Sequence, residues 1–269
     1  MLDNLLVHGR LTPEADGCLL AISPESAGWH YVGFRVHALT TGQSYQCEAG
    51  GNELCLVLLA GRADIGTARI RWRDVGRRMS VFEGIPPYAI YVPPGDRIEV
   101  NALTDLEFAV CSAPGGTGAH PARLIEPQQI NVERRGSGNT LRTIHNILPE
   151  SEPADSLLVV EVLTPGGHWS SYPPHKHDRN ALPEESLLEE TYYYRVNPSQ
   201  GYALQRVYTD DGSLDVALAP RNGDVVLVPR GYHPVSAPPG YDVYYLNVMA
   251  GPIRTWRIRN DPQHDWLLR

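Results

Sequence analysis

Apolar and polar positions alternate in short runs along the chain, and Gly or Pro ends most of these runs. Runs of about four to eight residues that are rich in β-branched and aromatic side chains predict strands. In the first half, strands are predicted over residues 31–41, 53–65, 68–75, 88–94 and 97–113. In the second half, they are predicted over residues 155–167, 190–197, 202–211, 224–231 and 241–251. This repeated string of strands predicts a duplicated all-β architecture.

Strand follows strand with almost no amphipathic helix, and only residues 182–190 hold a weak helical pattern. Many short strands at close intervals are typical of antiparallel sandwiches and barrels. Residues 113–140 are rich in Gly, Pro and polar side chains, which predicts a crossing between two barrels. We therefore expect an N-terminal barrel over residues 1–140 and a C-terminal barrel over residues 141–269.

Composition narrows the class of function. The 269 residues carry a formal net charge of −8, which argues against a basic surface for nucleic acid. The sequence holds no apolar run long enough for a membrane span, and the N-terminus lacks the basic and apolar pattern of a signal peptide. We therefore expect a cytoplasmic protein that binds a small molecule, with no nucleic-acid or membrane partner. A homo-oligomer stays an open alternative.

The second half contains the strongest candidate chemistry. His175 and His177 are two residues apart, so in a strand both side chains project from one face. His233 follows a short apolar strand that ends in a Pro-x-Gly turn. A His-x-His pair is a weak signal by itself, but a third histidine at a strand end strengthens the prediction of a metal site.

The order of these residues resembles the two motifs of the cupin superfamily. Gly167, the His-x-His pair, a glutamate and Gly201 stand in the order of the first motif, and His233 stands where the second motif has its histidine. Two departures are a long gap between His177 and the glutamate, and a single residue between Gly231 and His233. The candidates for the carboxylate ligand are Glu184, Glu185, Glu189 and Glu190.

Glu190 is our choice because it opens the predicted strand 190–197, as the cupin glutamate does. Glu189 is the main alternative, since a slip of one residue exchanges the two faces of a strand. His175, His177, Glu190 and His233 then form a set for one divalent metal, with zinc as the first choice and manganese or iron as alternatives. The first half has no His-x-His pair, so its barrel is predicted to hold no metal.

Residues 165–266 resemble the 5-deoxy-glucuronate isomerase family of bacterial myo-inositol catabolism. The resemblance is carried by the segments SSYPPHKHD, LPEESLLEETYY, NPSQGYALQRVYTDD, VVLVPRGYHPV and NDPQHDW. It implies two cupin barrels, the metal ligands named above, and conversion of 5-deoxy-D-glucuronate into 5-dehydro-2-deoxy-D-gluconate. An iron-dependent cupin dioxygenase and a sugar-binding cupin without catalysis are the alternative functions.

This aldose–ketose isomerisation requires a group that moves a proton between neighbouring carbons and a cation that binds the substrate carboxylate. The candidates for proton transfer are Glu189, Tyr192, Tyr194 and a metal-bound water, while a hydride shift stays an alternative. Arg206, Arg230 and Lys176 are the candidates for the carboxylate. Tyr245 and Asn247 share one face of the last long strand, and we expect that face to line the cavity.

Overall fold

The alternating pattern of the sequence does produce strands. A computed structural model describes residues 4–117 and 120–268. The strands of the first part are β1 (Leu6–Val7), β2 (Cys18–Ile22), β3 (Gly33–Leu39), β4 (Ser44–Glu48), β5 (Asn52–Ala60), β6 (Ala63–Gly66), β7 (Arg71–Val75), β8 (Ala89–Val92), β9 (Arg97–Ala102), β10 (Leu106–Pro114), β11 (Arg123–Ile125) and β12 (Asn131–Arg135).

The strands of the second part are β13 (Arg142–Leu148), β14 (Leu158–Thr164), β15 (Trp169–Ser170), β16 (His175–Lys176), β17 (Asp178–Ala181), β18 (Glu185–Leu187), β19 (Glu189–Asn197), β20 (Leu204–Tyr208), β21 (Asp215–Leu218), β22 (Val225–Val228), β23 (Val235–Ser236), β24 (Asp242–Ala250) and β25 (Arg259–Asn260). The weak helical pattern at residues 182–190 therefore forms β18 and the start of β19 instead.

Among residues 4–117 and 120–268, helical structure is confined to short turns. One α-helical turn spans Pro24–Ala27, and 3-10 turns span Val81–Glu83, Pro127–Gln129, Gly138–Thr140 and Pro262–Leu268. In the part of the chain that the structure describes, no helix is long and apolar enough to cross a membrane.

The structure divides into two compact units. The first comprises the described residues of Met1–His8, Val132–His145 and Val160–Arg269. The second comprises those of Gly9–Asn131 and Asn146–Val159. These limits differ from the predicted single boundary at residue 140, which falls inside the segment Val132–His145 of the first unit.

The second unit is built from two antiparallel sheets. One sheet has the strand order β11-β8-β5-β10-β3-β2, and the other has the order β4-β9-β6-β7. Side chains from both sheets meet in one apolar core, which includes Leu56, Phe108, Ile65 and Val100. Alternation along each strand explains this arrangement, because every second side chain of a strand points to the same face.

The first unit repeats this construction around the predicted metal ligands. A sheet with the order β1-β22-β19-β24-β14-β13-β12 faces a smaller sheet with the order β15-β23-β20-β21 across a shared core. Tyr192, Tyr194 and Tyr245 from the large sheet pack there with Val207 and Val235 from the small sheet. Two further pairs, β16-β25 and β17-β18, complete the unit.

A buried carboxylate fastens the segment 146–159 inside the second unit. Glu53 on β5 is fully buried, and it accepts a hydrogen bond of 2.7 Å from the Tyr91 hydroxyl. It also accepts hydrogen bonds of 2.6–2.7 Å from the backbone N–H groups of Asp155, Ser156 and Leu157. These four donors offset the cost of removing the carboxylate from water.

We expect Glu53→Gln to lower the free energy of unfolding by about 2–4 kcal/mol, because an amide cannot accept hydrogen bonds at both of its terminal atoms. Urea unfolding followed by circular dichroism measures the change. Glu48→Gln, at an exposed residue of β4, is the matched control and should change stability by less than about 0.5 kcal/mol. Equal stability of the two variants would contradict this account of Glu53.

Candidate metal and active site

A network of buried charges orders the His-x-His segment. Lys176, which is 4% exposed, lies between the two histidines, and its Nζ donates to Asp178 Oδ1 at 2.8 Å. Glu185 lies 3.6 Å from the same Nζ and also accepts from the Asp178 backbone N–H. On the other side of the segment, His175 pairs with Asn260 between β16 and β25. The segment is therefore held on both sides.

Three of the four predicted ligands come together. Glu190 Oε2 lies 3.0 Å from His177 Nε2 and 3.2 Å from His233 Nε2. The candidate ligand atoms of these three residues all lie within 4.8 Å of one another, and all three residues are buried. His175 is outside this group, but its ring centroid lies 5.0 Å from that of His233.

A close backbone approach places His233 at this point. Gly231 has a φ of 91°, and a Cβ at this residue would lie 2.4 Å from the Tyr208 carbonyl oxygen. The Gly231 N–H donates to Asp178 Oδ2, and Tyr232 forms a β-bridge with Tyr208. Glycine is therefore required at residue 231 so that the chain can turn His233 towards Glu190.

The hydrogen bonds of the histidine rings fix which nitrogen faces the site. His177 Nδ1 lies 3.1 Å from the Leu188 carbonyl oxygen, and His233 Nδ1 lies 2.8 Å from the Gly231 carbonyl oxygen. His175 Nδ1 lies 3.3 Å from the Pro173 carbonyl oxygen. Because a carbonyl only accepts, each Nδ1 is the donor, and in the neutral ring Nε2 carries a lone pair.

This arrangement fits a cation. His233 Nε2 is buried and has no hydrogen-bond partner among the described residues, although Glu190 Oε2 is close to it. Two electron-pair acceptors that face each other away from water repel, and a cation between them removes the repulsion. Imidazole nitrogens together with a carboxylate are a donor set that divalent transition metals accept.

The pKa shifts agree with that charge pattern. Burial by itself would raise the pKa of Glu190, but the interaction of its carboxylate with the imidazoles of His177 and His233 holds this pKa well below its ordinary value. Loss of hydration, with repulsion from His233 and His177, lowers the pKa of His175 to about 3. Glu190 is thus an anion and His175 a neutral ring at neutral pH, which are the forms that bind a metal.

A small cavity of about 30 Å³ adjoins the cluster. Four of the predicted site residues besides His175 line it: Glu190, Tyr192, Tyr245 and Asn247. Asn247 is opposite Tyr192 in the pairing of β24 with β19. The predicted face of the last long strand is therefore the one that lines the cavity.

The three predicted proton-transfer residues have different surroundings. Tyr192 lines the cavity, and its hydroxyl lies 2.9 Å from Ser171 Oγ. The Tyr194 hydroxyl donates to Gln205 Oε1 at 2.8 Å, and this residue is not part of the described cavity wall. Glu189 neighbours Glu190 on the strand, so its side chain points to the opposite face. Of the three, the structure places Tyr192 in the cavity.

The cations that we predicted for the substrate carboxylate lie elsewhere. Arg206 is exposed and makes two hydrogen bonds of 2.8 Å with Asp215. Arg230 is also exposed and donates to Ser213 Oγ. Lys176 is part of the buried network of charges described above. Closeness in sequence to the motifs was a poor guide, because alternate strand residues point away from the cavity.

Among the residues of the cavity wall that the sequence analysis missed are Arg142 and Ser171. Arg142 on β13 is 7% exposed, and Ser171 lies between the Tyr192 and Tyr245 hydroxyls. Ser171 has a φ of 48°, a left-handed conformation that is uncommon for a residue other than glycine. Neither residue belongs to a recognisable motif, and Arg142 comes from the segment that we expected to start the second barrel.

Two units in one chain, each built from two facing sheets, define a two-cupin protein. Solved structures of oxalate decarboxylase share this fold. The match to the Bacillus subtilis enzyme covers 99% of this chain and 81% of that enzyme, with a TM-score of 0.66 and 14% identity. The match to the Lactobacillus farciminis enzyme covers 100% of this chain and 91% of that enzyme, with a TM-score of 0.67 and 13% identity. The predicted fold class is confirmed.

The chain belongs to the KduI/IolB family, which matches it over residues 5–267. A 5-deoxy-glucuronate isomerase from Geobacillus thermodenitrificans is 63% identical over 257 residues, or 96% of this chain and 93% of that protein. Its counterpart from Halalkalibacterium halodurans is 48% identical over 92% of each chain. The crystal structure of an IolB-like protein from Salmonella typhimurium has a TM-score of 0.96 and 53% identity, and covers 99% of this chain and 100% of that one.

We expect Tyr194→Phe to act on stability rather than on the cavity. The variant leaves Gln205 Oε1 without its 2.8 Å hydrogen bond in a buried place, which should cost about 1–3 kcal/mol of unfolding free energy. Thermal and urea unfolding measure the change. Tyr202→Phe, at a residue that is 43% exposed, is the control with little expected effect. A stable Tyr194→Phe variant with strongly reduced turnover would contradict this assignment.

Proposed function

We propose that the protein is a metal-dependent 5-deoxy-glucuronate isomerase. The observation that carries the activity is the family membership, with curated relatives of that name at up to 63% identity. This agrees with the function that the sequence resemblance implied, so the prediction of an isomerase is confirmed. The observation that supports a metal is the cluster of His177, Glu190 and His233.

We assign His177, Glu190 and His233 as ligands of one divalent metal, with His175 completing the set from the cavity wall. When it is bound, the metal supplies Lewis-acid stabilisation of negative charge on the substrate oxygens. Zinc is our first choice, with manganese and iron as alternatives, because all three accept imidazole and carboxylate ligands. The backbone carbonyls that hold each Nδ1 orient the rings for this purpose.

The chain's own groups in the cavity bind the reacting end of the substrate and move its proton. The Tyr192 hydroxyl, held by Ser171, is the predicted proton-transfer group that the cavity contains. Asn247 offers an amide, and Tyr245 a hydroxyl, to the substrate oxygens in the same small space. The surrounding apolar side chains of Ile144 and Val162 keep this space away from bulk water.

The pathway, the cellular location and the partners of the protein stay predictions. The family resemblance supports a role in myo-inositol degradation, and the sequence features support a cytoplasmic location. We also propose that the substrate is a small sugar acid and that the protein has no nucleic-acid or membrane partner. A homo-oligomer stays an open alternative.

Glu190→Gln should lower the metal content of the purified protein from about one ion per chain to near zero, with the isomerase activity lost in parallel. The amide removes the negative charge that faces two imidazole nitrogens. Plasma mass spectrometry measures the metal. Glu189→Gln changes the neighbouring carboxylate on the other strand face and should keep its metal. If Glu189→Gln loses the metal and Glu190→Gln retains it, the ligand assignment is wrong.

Tyr192→Phe should lower kcat by about 10²- to 10⁴-fold, the usual range for a proton-transfer group, while the metal content stays unchanged. NMR in deuterated water follows the conversion of 5-deoxy-D-glucuronate and shows whether solvent deuterium enters the product. Incorporation by the unmodified protein supports proton transfer. Complete retention of the substrate hydrogen would support a hydride shift and would exclude this role for Tyr192.

A further inference from the structure

A second, larger cavity lies outside the small one in the same unit. Its volume is about 380 Å³, and Tyr172, Pro173 and Leu267 are part of its wall. Arg135, Arg142 and His175 line both cavities. These three residues therefore form the boundary between an outer space of substrate size and the inner space beside the metal ligands.

Arg142 stands at this boundary as a buried cation. Its Nη1 donates to the Thr140 carbonyl oxygen at 3.0 Å, and its Nη2 donates to the Tyr172 carbonyl oxygen at 3.3 Å. Both acceptors are neutral. Within residues 4–117 and 120–268, no carboxylate forms an ion pair with Arg142, and a guanidinium has five N–H donors of which these contacts use two.

Among the described residues, the other arginine that lines the two cavities is already paired, and so is the lysine beside the predicted ligands. Arg135, which shares the boundary, makes two hydrogen bonds of 2.8 Å with Glu133 and is exposed. Lys176 contacts Asp178 and Glu185. A buried positive charge without a countercharge is costly, and an anionic ligand can offset that cost. Arg142 is thus the cation in the cavity wall that a substrate anion can pair with.

The size of the inner cavity determines which part of the substrate it can hold. A volume of about 30 Å³ holds about two water-sized groups, too little for a six-carbon sugar acid. The substrate must therefore extend from the inner cavity into the outer one. Its aldehyde end belongs beside Glu190 and Tyr192, where the ligands and the proton-transfer group are, and its carboxylate end belongs towards the boundary.

We propose that Arg142 binds the carboxylate of the sugar-acid substrate and so selects acidic over neutral sugars. This inference rests on the proposed isomerase function and adds the residue that recognises the charged end. A guanidinium can bind a carboxylate through two parallel N–H···O hydrogen bonds. The contacts with Thr140 and Tyr172 hold its plane in place before the substrate arrives.

The test is steady-state kinetics of the metal-loaded full-length protein. For 5-deoxy-D-glucuronate, Arg142→Gln should raise KM about 100-fold with a smaller change in kcat, and Arg142→Lys should raise KM about 10-fold, since lysine keeps the charge but loses the planar fork. Arg221→Gln, at an exposed arginine of the same unit, is the matched control and should match the unmodified protein.

A neutral analogue separates recognition of charge from a structural role. In 5-deoxy-D-glucose a hydroxymethyl group replaces the carboxylate, and its competitive inhibition constant should be the same for the unmodified protein and for Arg142→Gln. If Arg142→Gln raised the inhibition constant of this neutral analogue as much as it raised KM, the proposal would be overturned, because Arg142 would then shape the cavity without recognising the charge of the carboxylate. An unchanged KM for the acid would overturn it as well.

The two hypotheses fail in different ways. If the unmodified protein does not isomerise 5-deoxy-D-glucuronate, the proposed function falls, and the role of Arg142 falls with it. If the unmodified protein is active and Arg142→Gln has the same KM, only the role of Arg142 falls. Metal content and circular dichroism of each variant are measured alongside, to check that the fold and the metal ligands are intact in these comparisons.

Discussion

The register of β19 is the constraint on which the site depends. Glu190 is opposite Val228 of β22 on one side and Met249 of β24 on the other. This pairing turns Glu190 and Tyr192 inwards, and a slip of one residue would bring Glu189 to the histidines instead. Because β19 pairs with β22 on one edge and with β24 on the other, the backbone hydrogen bonds on both edges fix which carboxylate faces the histidines.

Buried carboxylates serve different purposes in the two units because their surroundings differ. Glu53 faces four hydrogen-bond donors, so its negative charge is satisfied by the protein itself. Glu190 faces two imidazole Nε2 atoms whose rings donate from the opposite nitrogen. The first arrangement is complete without a ligand, whereas the second one has an excess of electron pairs that a cation compensates. The kind of neighbour, more than burial, distinguishes the structural carboxylate of Glu53 from that of Glu190, which we propose as a metal ligand.

Local pattern was enough to predict the long strands and the cluster of His177, Glu190 and His233, since both follow from period-two alternation and the order of the motifs. It was not enough for the turn at Gly61, where the predicted strand 53–65 divides into β5 and β6, which belong to different sheets. A φ of 95° and the close approach of the Asp105 carbonyl oxygen require glycine there, which is a tertiary effect. That residues 146–159 belong to the second unit was likewise not predictable from the sequence, because it depends on contacts such as those of Glu53 with residues 155–157.

Local pattern was also not enough to predict which cation lines the cavity. Arg206 and Arg230 were chosen because they neighbour motif strands, yet both are exposed and bonded to other polar groups. Arg142 reaches the cavity from β13, which precedes the His-x-His segment by some thirty residues of sequence and has no motif of its own. Metal ligands must converge on one point, so they leave a compact signature in the sequence. A cation that binds the far end of a substrate needs only to lie at the right distance from the reacting end. Any strand that lines the cavity can supply such a residue, so it leaves no motif in the sequence.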